Sequence, residues 1–301
     1  MSEKFFKVLL AVDGSLHSEV AVRLAAAITW PTGTTANVLA VVPEQWTGLG
    51  LSPEAQSIVD ETLERARQLE WAAAERLTQQ AANRLRSGSL NAKAEVRKGR
   101  PSEVILECAA ELPADVIVIG AKGLSALGAF RLGSTAHKLA HYADCSVLVV
   151  RPPERAQPLS VLLAADGSRE AQQAAELLCA LSLPAWAEVV VVSVAEVQAG
   201  LANQEPRMVA DMPEVVRQAL LDAAEARGAE VVERLRGCGA HVQNSIRFGH
   251  PAKEILSAAQ EHDADLIVVG ARGQTREELY RLGGVAQKVV KYADCSVLVV
   301  R

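Results

Sequence analysis

Three glycines and a serine stand at a spacing that suits phosphate chemistry. They are Gly120, Gly123, Gly133 and Ser134, within "GAKGLSALGAFRLGST" at residues 120–135. Glycine lets the backbone bend and approach a ligand closely. If a strand ends at Gly120 and a helix starts near residues 133–134, the first helical N–H groups are unpaired and carry partial positive charge. The Ser134 hydroxyl caps that helix or donates to a phosphate oxygen, and Lys122 and Arg131 add positive charge nearby. Together these residues describe an anion cradle sized for a di- or triphosphate. The competing reading is a plain strand-to-helix loop with ordinary glycines and a serine N-cap. A second feature is Asp13, in the "DGS" that follows the first apolar run; it is the one obvious carboxylate for Mg²⁺ beside phosphates.

The stretch is written twice. Residues 270–285 read "GARGQTREELYRLGGV", an offset of 150 (270 − 120), with Gly270, Gly273 and Gly283 in the places of the first three glycines. Ser134 becomes Gly284, and Glu277 and Glu278 enter the loop beside Arg272, Arg276 and Arg281. "VLLAVDGS" at 8–15 recurs as "VLLAADGS" at 161–168, so Asp166 matches Asp13 at an offset of 153 (166 − 13). "YADCSVLVVR" at 142–151 returns unchanged at 292–301. The second copy is thus about three residues shorter in its middle, and the proline-bearing "RPPERAQP" at 151–158 reads as a short, stiff linker. Two units are expected, 1–152 and 158–301.

The elements that must position these residues are legible within each copy. "KVLLAV", "VLAVV", "DVIVIG" and "SVLVV" are continuous apolar runs, as in strands buried on both faces. Between them lie Ala-rich amphipathic stretches at 17–30, 52–86, 100–111 and 133–143, the second opening on Ser-Pro-Glu and stopping at Gly88. The alternation β-α-β-α-β-α-β-α-β predicts an α/β fold: two tandem, open, doubly wound parallel sheets of five strands each. Such sheets bind ligands beyond the carboxyl ends of their strands, where Asp13 and Gly120 fall.

Composition narrows the partners. A formal net charge of −5 and 4% aromatic residues disfavour nucleic acid. No run approaches the roughly 18 apolar residues of a membrane helix, and the first fifteen residues do not read as a signal peptide. Five cysteines, an odd count without a CxxC pair, read as small buried thiols in a reducing cytoplasm. GxxxxGK[ST] is absent, as is GxGxxG after the first strand, which removes the Walker and dinucleotide readings. His137 and His141 are spaced i, i+4, but their twins are Gln287 and Lys291, so a solvated helix face is favoured over a metal pair. His17 sits close to the DGS turn and is a weaker phosphate candidate. The stretches 47–53 and 198–212 read as lids or as connectors. No catalytic constellation is visible, so slow turnover is the most that is expected.

The spacing G-x2-G-x9-G-[ST], met by Gly120, Gly123, Gly133 and Ser134, resembles the ATP-binding signature of the universal stress protein family. The resemblance covers nearly the whole chain as two tandem copies. It includes the Asp after the first strand, the G-x-P before the third helix and the closing strand "CSVLVVR". It implies that ATP, carried with Mg²⁺, lies against Asp13, that the end of the second strand near Val42 offers a backbone contact to adenine, and that Gly120, Lys122, Gly123, Gly133 and Ser134 wrap the phosphates. In the second copy the same mapping gives Asp166, Val194, Gly270, Gly273 and Gly283, with Gly284 departing from the pattern. The resemblance also implies that the two closing strands pair inside one chain, giving a two-lobed pseudo-dimer, or that two chains form a homodimer. The expected function is a cytoplasmic, ATP-binding stress-response regulator or sensor that acts on a protein partner. A slow ATPase and a nucleotide-independent partner-binding protein stand as alternatives. The first site is expected to bind ATP well and the second more weakly.

Overall fold

The computed structural model describes residues 6–44, 53–88, 90–124, 131–152, 160–181, 187–196, 212–273 and 282–301. The first half runs β1 (Lys7–Ala11), α1 (Leu16–Ala27), β2 (Thr35–Val42), α2 (Pro53–Ser87), β3 (Asn91–Lys98), α3 (Pro101–Glu111), β4 (Val116–Gly120), α4 (Ser134–Tyr142) and β5 (Ser146–Val150). The second half repeats it as β6 (Ser160–Ala164), α5 (Arg169–Ala180), β7 (Glu188–Ala195), α6 (Glu214–Gly237), β8 (His241–Phe248), α7 (Pro251–Glu261), β9 (Leu266–Gly270), α8 (Gly284–Tyr292) and β10 (Ser296–Val300). Among the described residues no helix is long and apolar enough to cross a membrane.

All ten strands form one sheet, ordered β3-β2-β1-β4-β5-β10-β9-β6-β7-β8. Within each half every pairing is parallel, as the long helical crossovers require. The halves meet where β5 and β10 pair antiparallel, with Leu148 opposite Leu298 and Val149 opposite Val297. The internal pairing of the repeated closing strands is thereby borne out, and it fuses two five-stranded sheets edge to edge.

The apolar runs are central because both of their faces are covered. β4, β5 and β10 are buried at every position. One face packs against α1, α2, α5 and α6 through Ala25, Leu85, Leu178 and Leu235. The other packs against α3, α4, α7 and α8 through Ile105, Leu139, Ile255 and Val289. Alanine on the helices lets them lie close to a sheet of Val, Leu and Ile.

One expectation is corrected here. Cys179 and Cys238 are joined in a disulfide, with Cα atoms 5.7 Å apart. They lie 59 residues apart in sequence, one near the end of α5 and the other just beyond α6, and only the packing of those helices brings them together. Cys108 is buried, and burial pushes the Cys145 and Cys295 thiols up to about 11. These three match the inert thiols expected of the whole set.

Candidate functional site

The site is built where β1 and β4 end. Asp13 follows β1, and Gly14 adopts φ +79°, a left-handed conformation that favours glycine. The turn folds the Asp13 carboxylate back on its own chain, so Oδ1 accepts from Ser15 N–H at 3.0 Å. Ser15 is the N-cap of α1: its Oγ accepts from Ser18 N–H at 3.2 Å and donates to the Lys122 carbonyl at 3.1 Å. Asp13 Oδ2 accepts from Leu124 N–H at 3.2 Å. Asp13 and Ser15 therefore stitch the β1 turn to the glycine loop.

The glycines carry a packing requirement beyond a ligand's. A Cβ on Gly120 would lie 2.7 Å from the backbone of His17 and Ser18, and one on Gly123 would lie 2.6 Å from Asp13 Oδ2. A Cβ on Gly133 would meet the Ala121 carbonyl at 3.2 Å. Gly270, Gly273 and Gly283 meet the corresponding neighbours: Glu170 Cβ at 2.8 Å, Asp166 Oδ2 at 2.6 Å and the Ala271 carbonyl at 3.3 Å. Asp166 repeats the turn, accepting from Ser168 N–H at 2.9 Å. Retention of the glycines in both halves thus follows from the loop's own packing. The informative difference is Ser134 against Gly284.

Ser134 is the first residue of α4, not its cap. Gly133 holds the N-cap position in an extended conformation, with no side-chain hydrogen bond. A Ser134 hydroxyl one position into the helix does not fold back on the helix's own N–H groups. It is exposed, and among the described residues it has no hydrogen-bond partner. Gly284 opens α8 in the same way, with nothing within 4 Å of the place its Cβ would occupy.

A cavity of about 1450 Å³ opens over these elements, which exceeds the roughly 300–1,000 Å³ typical of small-molecule clefts. Asp13, Lys122, Gly123, Ser134 and Lys138 line its polar part. Leu39, Val41, Leu77 and Ile105, from β2, α2 and α3, form an apolar wall. Gly120, Gly133 and Val42 also line it, so every expected residue of the first half meets at one place. Trp46 and the stretch 47–52 lie outside the described residues.

The end of β2 needs one adjustment. The Val42 carbonyl accepts from Gly99 N–H at 3.1 Å and so faces β3. The alternation of a parallel ladder turns the Val41 N–H and carbonyl to the β1 side. There β1 pairing has already ended, at Ala11 opposite Leu39 and the Val12 N–H on the Leu39 carbonyl. The backbone edge facing the cavity therefore belongs to Val41. In the second half Gly249 N–H donates to Ala195 at 3.1 Å, so Ala195 is the twin of Val42 and Val194 the twin of Val41. The Val194 carbonyl receives a long 3.5 Å contact from Arg227.

The halves differ in charge as well. Lys122 has no carboxylate partner among the described residues, whereas its twin Arg272 pairs with Glu170 at 3.4 Å. Glu170 in turn stands where the first half has His17. His17 does not line the cavity: it lies beneath the loop against Gly120, and burial lowers its pKa. His137 and His141 stack at 6.3 Å between ring centroids. Among the described residues no cluster of three or more metal-ligating side chains forms. Glu277, Glu278, Arg276, Arg281 and the stretch 198–211 lie outside the described residues.

Sequence reasoning missed the cavity's far wall. Gln287, Lys291 and Tyr292 line it from α8, in the other half of the chain. The only sequence signal was that the i, i+4 pair His137/His141 has Gln287/Lys291 as its twin.

The fold and the repeated motif agree with what known proteins show. The universal stress protein family model matches twice, over residues 4–151 and 159–301. A universal stress protein from Mycolicibacterium smegmatis is 28% identical over 317 residues, covering 98% of this chain and 97% of its own. One from Thermus aquaticus is 35% identical over 147 residues, which is 49% of this chain and 99% of that protein. Among solved structures, a putative universal stress protein from Pseudomonas aeruginosa superposes with a TM-score of 0.62 at 17% identity, covering 99% and 94% of the two chains. One from Archaeoglobus fulgidus gives 0.58 at 22% identity, covering 98% and 96%. Two successive matches that together span almost the whole sequence, on two fused doubly wound sheets, mean that the chain belongs to the universal stress protein family as a tandem two-domain member.

Proposed function

We propose that the first half, taken as the unit 1–152, is an ATP-binding regulatory module and that the second, 158–301, binds nucleotide more weakly. The observation that carries this reading is the uncommitted Ser134 hydroxyl at the first turn of α4, inside a cavity that also holds Lys122 and Lys138. The free N–H groups of that turn favour an anion, and a hydroxyl beside them suits a phosphate oxygen. The apolar wall and the Val41 backbone edge suit an adenine ring, which needs a flat surface and an adjacent donor and acceptor.

Magnesium fits only in a supporting position. Asp13 accepts a backbone N–H on each oxygen and keeps further lone pairs. Phosphate oxygens and water would then supply most of an octahedral shell, the usual arrangement for Mg²⁺ with nucleotides.

The second site lacks the hydroxyl at Gly284, and its loop cation is paired to Glu170. Loss of one hydrogen bond to a charged group corresponds to about 1.5–3 kcal/mol, or about ten- to a hundredfold in affinity. Bound ATP bridges the Asp13 turn and the first turn of α4 and biases a surface for a protein partner in a cytoplasmic stress response.

Calorimetric titration of the full chain with Mg·ATP tests the reading. One tight site per chain, weakened at least tenfold by Ser134→Ala, is the expected result. Two sites of equal affinity, or no binding, would overturn it. Phosphate release above background, lost in Asp13→Ala, would move the assignment to a slow ATPase.

A further inference from the structure

We propose that the second half completes the first half's site: Lys291, on α8, contacts the outer phosphates of the bound nucleotide and makes the site prefer a triphosphate to a monophosphate. This rests on the nucleotide reading above.

The placement is direct. Lys291, Gln287 and Tyr292 line the same cavity as Ser134, His137 and Lys138 of α4. Arg131, two residues before Gly133, donates to the Tyr292 carbonyl at 3.0 Å and pairs with Asp294. The start of the phosphate-facing turn is thus pinned against the end of α8. Gln287 and Lys291 are four residues apart and share one helix face, which is the face turned to the cavity.

Lys291 is the lysine that the second half adds to Lys122 and Lys138 of the first around this cavity. Of the two cations that the loop motif supplies, Lys122 stands beside Gly123 at the inner end of the loop, and Arg131, at the end nearer α8, is held by Asp294. Lys291 is exposed and has no carboxylate partner among the described residues; its ammonium sits 5.1 Å from the centre of the Tyr292 ring. That contact is weaker than a charge-assisted hydrogen bond to phosphate. A triphosphate extends farther from the adenine wall than a monophosphate and carries more charge. A cation on the opposite lobe therefore acts on the outer phosphates and not on the nucleoside.

The arrangement is one-sided. The antiparallel β5–β10 junction relates the halves by an approximate two-fold. Whatever α8 lends to the first site, α4 is placed to lend to the second. The twins of Gln287 and Lys291 on α4 are His137, which itself lines the first half's cavity, and His141. Burial lowers the His141 pKa, with His137 and Arg301 acting in the same direction. Where α8 carries the permanent cation of Lys291, α4 thus carries a histidine whose burial disfavours its charged form.

The experiment titrates adenosine, AMP and ATP, each with Mg²⁺, into the full wild-type chain, Lys291→Ala and Lys291→Arg. Lys291→Ala is expected to weaken ATP about five- to tenfold while AMP and adenosine change less than twofold, with Lys291→Arg recovering most of the loss. Unchanged ATP affinity in Lys291→Ala, or equal fractional losses for ATP and adenosine, would overturn the contact across the junction while leaving the site reading intact. A wild-type chain that binds none of the three would overturn the site reading itself.

Discussion

Arg151 donates to the carbonyl of Val290 at 2.6 Å, across the junction between the two halves. It also donates to the Cys295 carbonyl at 3.0 Å, and only 6% of its surface is exposed. Arg301 returns the arrangement on the Ala140 and Cys145 carbonyls at 2.7 and 3.2 Å. Each closing strand therefore ends in a cation that satisfies carbonyls at the end of the other half's helix, where the helix dipole favours positive charge. Removing the Arg151 side chain strips two carbonyls of their donors and leaves a hole. Arg151→Ala is expected to lower stability by about 2–3 kcal/mol in urea unfolding. A loss below about 0.5 kcal/mol would mean that the junction does not depend on it.

Glycine substitutions should separate packing from ligand binding. Gly123→Ala places a Cβ 2.6 Å from the Asp13 carboxylate, and Gly273→Ala does the same to Asp166. Both are expected to cost about 1–3 kcal/mol in denaturant titrations without nucleotide. Gly284→Ser meets nothing within 4 Å, so its stability should stay within about 0.5 kcal/mol of wild type. Its ATP affinity at the second site should rise. Equal destabilisation by Gly284→Ser and Gly273→Ala would contradict this account of the loop.

Reduction of the Cys179–Cys238 disulfide should destabilise the second half. The bridge closes a loop of 59 residues, for which the chain-entropy model gives an upper value of about 4 kcal/mol. A loss of about 2–4 kcal/mol is expected in Cys238→Ser or under dithiothreitol. Urea unfolding with and without reductant measures it, and a reductant-induced loss of the same size in Cys238→Ser, which has no bridge to reduce, would place the effect elsewhere.

His17 and His141 predict a direction with pH. Burial holds both below their ordinary value of 6.5 in the folded chain. The unfolded chain therefore takes up protons first as the pH falls through about 6.5. Stability should be fully present above that pH and decline below it, until the folded-state values are passed. His17→Asn, compared with wild type in urea at pH 8 and pH 5.5, should show a smaller drop on acidification. An identical drop would remove His17 from the explanation.

Most of the architecture is legible because its signals are local. The Ser-Pro-Glu start and Gly88 stop bracket α2, which runs Pro53–Ser87, and runs such as "DVIVIG" read as buried strands because both of their faces are covered. β3, "NAKAEVRK", carries no such run: it is an edge strand whose burial is partial and mixed. At the site, Asp13 and the glycine loop could be read from their positions after strands. The backbone edge of Val41 could not, because it depends on which residue outlasts the β1 pairing.

The sequence by itself determined the duplication, the family, the two doubly wound sheets and the Ser134-to-Gly284 difference, since each is written in contiguous residues or a fixed offset. Only the tertiary structure decided that the glycines answer to Asp13 and α1, that Cys179 meets Cys238, and that Lys291 faces the first half's cavity. Those relationships join residues 59 to more than 150 positions apart. They exist because helices pack on a shared sheet and two edge strands pair, and no local pattern of residue types encodes that distance.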